Sequence, residues 1–284
     1  MSGVASAELV MSGDIVLTAG VRSNLLQLQQ TANLITQTQT KLATGKRVNS
    51  ALDNPVNYFT AQALTNRASD LGNLLDSMSS GISTIQAANN GITSITKLVQ
   101  SAQALISQAQ QSTDPVVRTG LANQFDTILG QITTLAQDSG FNGINLLNGT
   151  ASANLTVTLN ENGSSSVTIN AVDFTSTGLA LNNSNNNWGG TADITAASTE
   201  LTAALTSLRS QSQAFGTNLS TVQIRQDFTK AMINTLQTGS DSLTLADSNE
   251  EGANLLALQT RQQLSTTALS LASQASQAVL RLFG

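Results

Sequence analysis

Residues 21–42 read VRSNLLQLQQTANLITQTQTKL, and their mostly apolar members recur in alternating steps of four and three. This spacing is that of a coiled-coil seam, in which one face of a helix packs against a partner helix. Gln39 is the one polar member, and it either fixes the register of pairing or lies at a wet end of the seam. We call the set the N-terminal stripe; it comprises Val21, Leu25, Leu28, Ala32, Ile35, Gln39 and Leu42.

A second stripe with the same alternation lies close to the other end of the chain. Neither stripe has a partner within its own segment, so the two either pair with each other or pack against other copies of the chain. A single such helix buries too little apolar surface to offset its loss of conformational entropy, and we expect it to fold fully only on assembly. The C-terminal stripe comprises Leu264, Ala268, Leu271, Ala275, Ala278 and Leu282.

Composition argues against most kinds of catalysis. The 284 residues include no Cys and no His, which removes the usual zinc ligands, catalytic triads, haem ligands and disulfides. The sequence contains neither a glycine-rich phosphate loop nor an EF-hand spacing of carboxylates. We therefore predict a structural protein, not an enzyme, with no metal site and no cofactor.

Charge and hydropathy argue against two classes of partner, nucleic acids and membranes. The net charge is −5, and the densest basic group, Lys41 with Lys46 and Arg47, is better explained as a solvated bend than as a nucleic-acid site. No apolar run approaches the roughly 18 residues that a membrane-spanning helix needs, so no membrane insertion is expected. Aromatic residues make up only 3% of the chain, which suits long, thin helical packing better than a large globular core.

Capping signals and periodicity predict several long helices. Asn54-Pro55 and Asp114-Pro115 each place a cap residue before a proline, which marks a helix start. The helix from Pro55 should run for roughly fifty residues, with a bend at Gly81 or Gly91 where glycine costs about 1 kcal/mol. The other expected helices cover 21–43, 115–138, a segment from about 192 that Gly239-Ser240 interrupts, and a terminal segment after 247–251.

In the middle of the chain, the spacing of apolar residues changes from a helical to a strand-like period. Leu155, Val157 and Leu159 alternate with polar residues, as do Val167 and Ile169, which predicts a small β-hairpin. Residues 173–190 are rich in Asn and predict an exposed loop. Taken together, the fold class is mainly α: long antiparallel helices in a coiled-coil-like bundle, with paired terminal helices and a small β-hairpin region. Residues 1–20 carry no steady period and are expected to be extended or disordered before assembly.

Three motifs resemble those of the bacterial flagellins. Residues 42–53, LATGKRVNSALD, are similar to the family's L-S-S-G-x-[RK]-[IV]-N-S-A-x-D signature. Residues 141–147, FNGINLL, resemble its F-N-G-x-x-L-L turn, and residues 275–283, ASQAVLRLF, are similar to its C-terminal ending. The Leu52-Asp53-Asn54-Pro55 variant is most similar to flagellins of α-proteobacteria, here with a short central region.

The resemblance implies a division of the chain into layers. Residues 1–45 and 246–284 would form an inner terminal-helix domain of a filament. Residues 53–150 and 191–245 would form an outer helical domain, and 151–190 a short exposed β/loop region.

The resemblance also implies a role, a location and partners. The chain would be the structural subunit of the flagellar filament used for motility, a helical homopolymer outside the cell. Its partners would be hook-associated and cap proteins, the flagellar type III export apparatus and an export chaperone. A hook–filament junction protein, which resembles flagellin at both termini, is the alternative.

Overall fold

The computed structural model describes residues 19–149 and 153–283. The mainly helical fold and the small antiparallel hairpin are confirmed, whereas the prediction for residues 1–20 lies almost wholly outside the described residues. In chain order the elements are α1 (Ala19–Thr44), α2 (Pro55–Gln111), α3 (Pro115–Asp138), β1 (Leu155–Thr158), β2 (Ser166–Ile169), a 3₁₀ turn (Asn185–Trp188), α4 (Thr191–Thr244) and α5 (Ser248–Phe283).

The capping residues begin the helices where the sequence predicts. Asn54 Oδ1 accepts a hydrogen bond from the Asn57 amide at 3.0 Å at the start of α2. Asp114 Oδ1 accepts one from the Val116 amide at 2.9 Å at the start of α3. In both cases the following proline occupies a position whose missing N–H has no intrahelical partner to lose. At the other end of α1, Gly45 has a φ of 67°, the left-handed conformation of a helix C-cap.

The chain divides into two compact units. We call residues 1–62 with 239–284 the terminal unit and residues 63–238 the central unit. The central unit contains one large apolar core, to which α2, α3, α4 and the middle segment all contribute. In the terminal unit, by contrast, Val48 and Ala61 are the only buried apolar side chains among the described residues.

The hairpin packs against α2 within the central unit. β1 and β2 pair antiparallel with Leu155 opposite Ile169, and both of these side chains are buried. A Cβ placed on Gly81 of α2 would lie 2.6 Å from Val157 Cγ2, so glycine is what allows the hairpin to approach the helix. At the hairpin tip, the Arg67 guanidinium donates a hydrogen bond to Glu161 and holds the pKa of that carboxyl below its usual range.

The predicted turn at 141–147 is confirmed, and the hydrogen bonds of Asn145 show why an asparagine occurs in it. Asn142 and Gly143 take φ values of 49° and 80°, as a two-residue turn of type I′ requires. The Asn145 side-chain amide donates to the carbonyl oxygens of Ala136 and Gln137 at 2.9 and 2.7 Å. These bonds satisfy carbonyls that the end of α3 leaves free. Asn145 Oδ1 in turn accepts a hydrogen bond from the amide of the buried Leu147 at 2.8 Å.

Residues 173–190 form a loop, as expected, but this loop is not exposed throughout. Phe174, Leu181 and Trp188 are buried in the central core, and the Trp188 ring lies 5.0 Å from the Phe125 ring. The asparagines between Leu181 and Trp188 are exposed, and their number made the segment look polar throughout. Because the anchoring side chains follow no helical or strand period, the sequence pattern did not reveal them.

The predicted interruption at Gly239-Ser240 is absent, whereas the bend expected at Gly81 or Gly91 stays a prediction. Helix α4 continues through Gly239 and Ser240 to Thr244, and the Ser240 hydroxyl donates to the Ala61 carbonyl at 3.2 Å. Helix α2 likewise runs through Gly81 and Gly91 without a break. A helical glycine costs only about 1 kcal/mol, which tertiary contacts readily offset.

We predict opposite effects of alanine at two glycines of α2. A Cβ on Gly91 would lie 2.7 Å from Leu147 Cδ1 and would also collide with the Ser139 side chain, whereas a Cβ on Gly72 would meet nothing within 4 Å. Gly91→Ala should lower the free energy of unfolding by about 1–2 kcal/mol through overpacking. Gly72→Ala should raise it by up to about 1 kcal/mol through helix propensity.

Denaturant unfolding followed by circular dichroism measures both glycine variants. Equal stability of the two would contradict the close approach at Gly91.

Candidate assembly surfaces

The terminal unit is built on the pairing of α1 with α5. The two helices pack along each other, and the connection from Thr44 to Pro55 joins the end of α1 to the unit's part of α2. No apolar side chain of α1, and none on the part of α5 whose side chains are described, is fully buried. A two-helix pair covers one face of each helix and leaves the others in water.

On α1, the face that packs most closely includes most of the N-terminal stripe but is centred on two threonines. Thr31 and Thr38 are the buried residues, at 2% and 6% exposure. They lie one position before Ala32 and Gln39 of the N-terminal stripe, so the contact surface is rotated relative to it. Leu25 is 40% exposed and Gln39 is exposed. Other members of the N-terminal stripe are half-buried, namely Val21, Leu28, Ala32, Ile35 and Leu42.

On α5, the C-terminal stripe faces away from α1. Leu264 and Leu271 are 67% and 61% exposed, and Ala268, Ala275 and Ala278 are exposed as well. The Leu282 side chain lies outside the described residues. A different face is half-buried; it carries Leu255, Leu258, Gln262, Ser265 and Leu269. Of the two arrangements that the sequence left open, the structure therefore does not bring the two stripes together within one chain.

Polar contacts join the end of α1 and the connector that follows it to the end of α4 and the start of α5. Lys41 Nζ lies 3.0 Å from Glu251 Oε1, and the Glu251 side chain is only 13% exposed. Lys41 is in the last turn of α1 and Glu251 in the first turn of α5, where each helix dipole favours that charge. The Arg47 side chain donates to the Ser242 carbonyl at 3.0 Å. Lys41 and Glu251 are 210 positions apart, so no local pattern could have predicted their pairing.

The connector at 46–54 is organised around Asp53. Asp53 Oδ2 accepts the amides of Asn49 and Ser50, both at 2.9 Å, and the Ser50 hydroxyl at 3.3 Å. Hydrogen bonds from the Asn49 and then the Ser50 backbone lower the pKa of Asp53 below its ordinary value of 3.8. The sequence had suggested only a polar bend here, although Asp three or four residues after Asn and Ser is a recognisable local signal.

Other kinds of site find no support in the described part of the chain. No group of three or more His, Cys, Asp or Glu residues there could hold a metal ion. None of the helices described combines the length and the apolar character that crossing a membrane requires.

Comparison with known proteins gives a consistent result. Residues 18–152 match the bacterial flagellin N-terminal helical region, and residues 192–283 match the bacterial flagellin C-terminal helical region. Flagellin FljN of Caulobacter vibrioides is 32% identical over 266 residues, which cover 93% of this chain and 96% of that protein. The flagellin of Brucella melitensis is 26% identical and is covered to 98% of its length, against 95% of this chain. A crystal structure of Bacillus cereus flagellin aligns with 55% of this chain and 88% of its own, at 19% identity and a TM-score of 0.46.

The Asp53 arrangement predicts a pH-dependent connector. Because the folded pKa is depressed, the stabilisation is complete above the unfolded pKa and is lost as the pH falls through the folded value. In the monomer, NMR titration of the Asn49 and Ser50 amide protons should give a midpoint below 3.8. Asp53→Asn should abolish that transition at both amides; a midpoint at or above 3.8 in the unmodified chain would contradict the arrangement.

Proposed function

Because this chain belongs to the bacterial flagellin family, we propose that it is a subunit of the flagellar filament and that its terminal stripes bind other copies of the same chain. The observation that carries the proposal is the exposure of the C-terminal stripe. Leu264 and Leu271 lie in water on the face of α5 that α1 does not cover. A contiguous exposed apolar face of this kind marks an interaction site.

The same surface explains why the assembly is a filament. The C-terminal stripe and the N-terminal stripe are different surfaces, so contact between them in two chains is heterologous. Heterologous contacts that do not close into a ring continue as an open helical polymer. We expect the terminal helices to reach full stability only there, since the terminal unit of a single chain buries so little apolar surface.

The layered arrangement follows from family membership. On this proposal, residues 1–45 and 246–284 line the inner part of the filament and residues 53–150 and 191–245 the outer part. Residues 151–190 lie at the outside but are anchored through Trp188, which supports a short surface segment without a further decorative domain.

Location and partners belong to the same proposal. The filament is extracellular, and its subunit would pass through the flagellar type III export apparatus with an export chaperone. Growth would start on hook-associated proteins and proceed beneath a cap protein. The function is structural: flagellins form filaments, and the role described here requires no catalytic group.

The junction-protein alternative receives no support. The relatives named above are flagellins, and the match to them extends over nearly the whole of this chain. Caulobacter and Brucella are α-proteobacteria, the group to which the connector variant pointed.

Seeded polymerisation viewed by electron microscopy tests the proposal. The intact chain should grow long filaments, and a version lacking residues 246–284 should not, because it has lost α5 and the C-terminal stripe. Short assemblies that stop growing would favour the junction protein. Filaments from the truncated chain would contradict the role of α5.

A point substitution tests the C-terminal stripe more narrowly. Leu271→Gln should raise the concentration of monomer left after polymerisation by about tenfold or more, because burying a leucine contributes about 1.5–3 kcal/mol. Ser270→Gln places the same side chain on an exposed neighbouring position outside the stripe and is the matched control. Sedimentation of filaments measures both, and equal effects would refute a specific role for Leu271.

A further inference from the structure

The surface along which α1 and α5 touch has coiled-coil spacing of its own. On both helices, buried and half-buried residues recur in alternating steps of three and four. On α1 this series shares every second member with the N-terminal stripe, and on α5 it shares none with the C-terminal stripe. We call it the helix seam; it comprises Val21, Asn24, Leu28, Thr31, Ile35, Thr38 and Leu42 on α1, and Leu255, Leu258, Gln262, Ser265 and Leu269 on α5.

The α1 side of the helix seam repeats itself every seven residues. Its apolar members and its polar members each recur with that period, namely Val21, Leu28, Ile35 and Leu42, and Asn24, Thr31 and Thr38. If α1 slid along α5 by seven residues, about 10 Å, each seam residue of α5 would face the same kind of residue as before. Packing in the helix seam therefore does not distinguish one register from the next.

The polar residues of the helix seam do not supply the missing information. The Thr31 hydroxyl donates to the Gln27 carbonyl of its own helix at 2.8 Å. Among the described residues, no side chain of the helix seam is hydrogen-bonded to the opposite helix. The one ion pair between α1 and α5 in that part of the chain joins Lys41 to Glu251, which lie beside the seam and at one end of it.

Contacts that hold a single register are concentrated at that end of the helix pair. There the chain that follows α1 is hydrogen-bonded to the chain that precedes α5. Because these bonds join particular backbone atoms, a slide of α1 would break them. We call the following contacts the clasp: Lys41 Nζ to Glu251 Oε1 at 3.0 Å, the Ala246 amide to the Gly45 carbonyl at 3.0 Å, the Arg47 amide to the Thr244 carbonyl at 2.8 Å, and the Arg47 side chain to the Ser242 carbonyl at 3.0 Å.

The clasp also defines which seam residues lie level with each other. Lys41 is near the end of α1 and Glu251 near the start of α5, so the paired helices run antiparallel. Thr31 lies ten residues from Lys41, and Gln262 lies eleven residues from Glu251. At 1.5 Å per residue, Thr31 and Gln262 are therefore level to within about 2 Å. After a slide of seven residues, Thr38 would be level with Gln262 instead.

We infer that the clasp, and not the helix seam, sets the register of α1 against α5, with Lys41, Glu251 and Arg47 as positioning residues. A charged contact fixes register where apolar packing does not. Register decides where the C-terminal stripe lies along α1, and a slip of seven residues would displace it by about 10 Å. The consequence for assembly rests on the proposed filament function, whereas the register itself is a property of a single chain.

Disulfide formation can report the register because the chain contains no cysteine. Thr31→Cys with Gln262→Cys is the native pair of thiols, and Thr38→Cys with Gln262→Cys is the slipped pair. A disulfide needs Cα atoms about 4.4–6.8 Å apart, so in dilute solution the native pair should form about tenfold more intrachain disulfide than the slipped pair. A non-reducing gel measures the yields. Equal yields, or no disulfide from either pair, would refute a fixed register.

Breaking the clasp should transfer the disulfide to the slipped pair. Glu251→Lys with Arg47→Ala places like charges together at Lys41 and removes a side-chain hydrogen bond. In this background the yield from the native pair should fall at least about threefold, and the yield from the slipped pair should rise by a similar factor. A fall without a rise would mean that the clasp only stabilises pairing, and it would overturn the role in register.

A matched control and a reversal separate these residues from a general effect of charge. Glu250→Lys with Lys46→Ala makes the same change in net charge at neighbouring exposed positions, and it should leave the native pair dominant. Lys41→Glu with Glu251→Lys restores an ion pair and should recover most of the native disulfide. Recovery should be incomplete because each charge then lies at the unfavourable end of its helix. An equal shift in the control would overturn the assignment.

Sedimentation of filaments connects the register to assembly. Without added cysteines, Glu251→Lys with Arg47→Ala should leave at least about fivefold more unpolymerised monomer than the matched control, the upper range for an exposed ion pair. Normal polymerisation of a chain whose disulfide has moved to the slipped pair would overturn the link between register and assembly. Failure of the unmodified chain to polymerise would overturn the filament function alone, because the disulfide test is carried out within one chain.

Discussion

A pair of helices can cover only one face of each, and this constraint governs the terminal unit. Thr31 and Thr38 are the buried residues of α1, while Leu264 and Leu271 of α5 remain in water. The apolar surface that a single chain cannot cover is then available to other copies. On the proposed function, we expect assembly to complete the folding of the termini, because it supplies the burial that a single chain lacks.

The central unit, by contrast, buries its apolar side chains in a core that one chain forms by itself. Aromatic residues are few in this chain, and Trp188 of the middle segment packs against Phe125 of α3. Glycines at 81 and 91 let the hairpin and the 141–147 turn approach α2 more closely than any other residue would allow. The result is a unit that needs no partner for its own core and can present a fixed surface to a neighbouring subunit.

Within the terminal unit, local hydrogen bonds hold the connector at 46–54 in one conformation. Asp53 accepts hydrogen bonds from two amides of the loop, which fixes the loop. Leu52 is exposed as a consequence of that order.

The sequence by itself determined those features that depend on neighbouring residues. Asn54-Pro55 and Asp114-Pro115 start helices, and the alternation around Leu155 and Val167 forms a hairpin, because capping and periodicity act over a few positions. The sequence also indicated two apolar stripes suited to assembly, but it could not say which helix faces would meet. Tertiary structure alone decided that α1 packs beside Leu258 and not Leu264, that Lys41 meets Glu251, and that Trp188 leaves a polar segment for the core. These outcomes depend on the combined packing of residues far apart in the chain, and no local pattern records that competition.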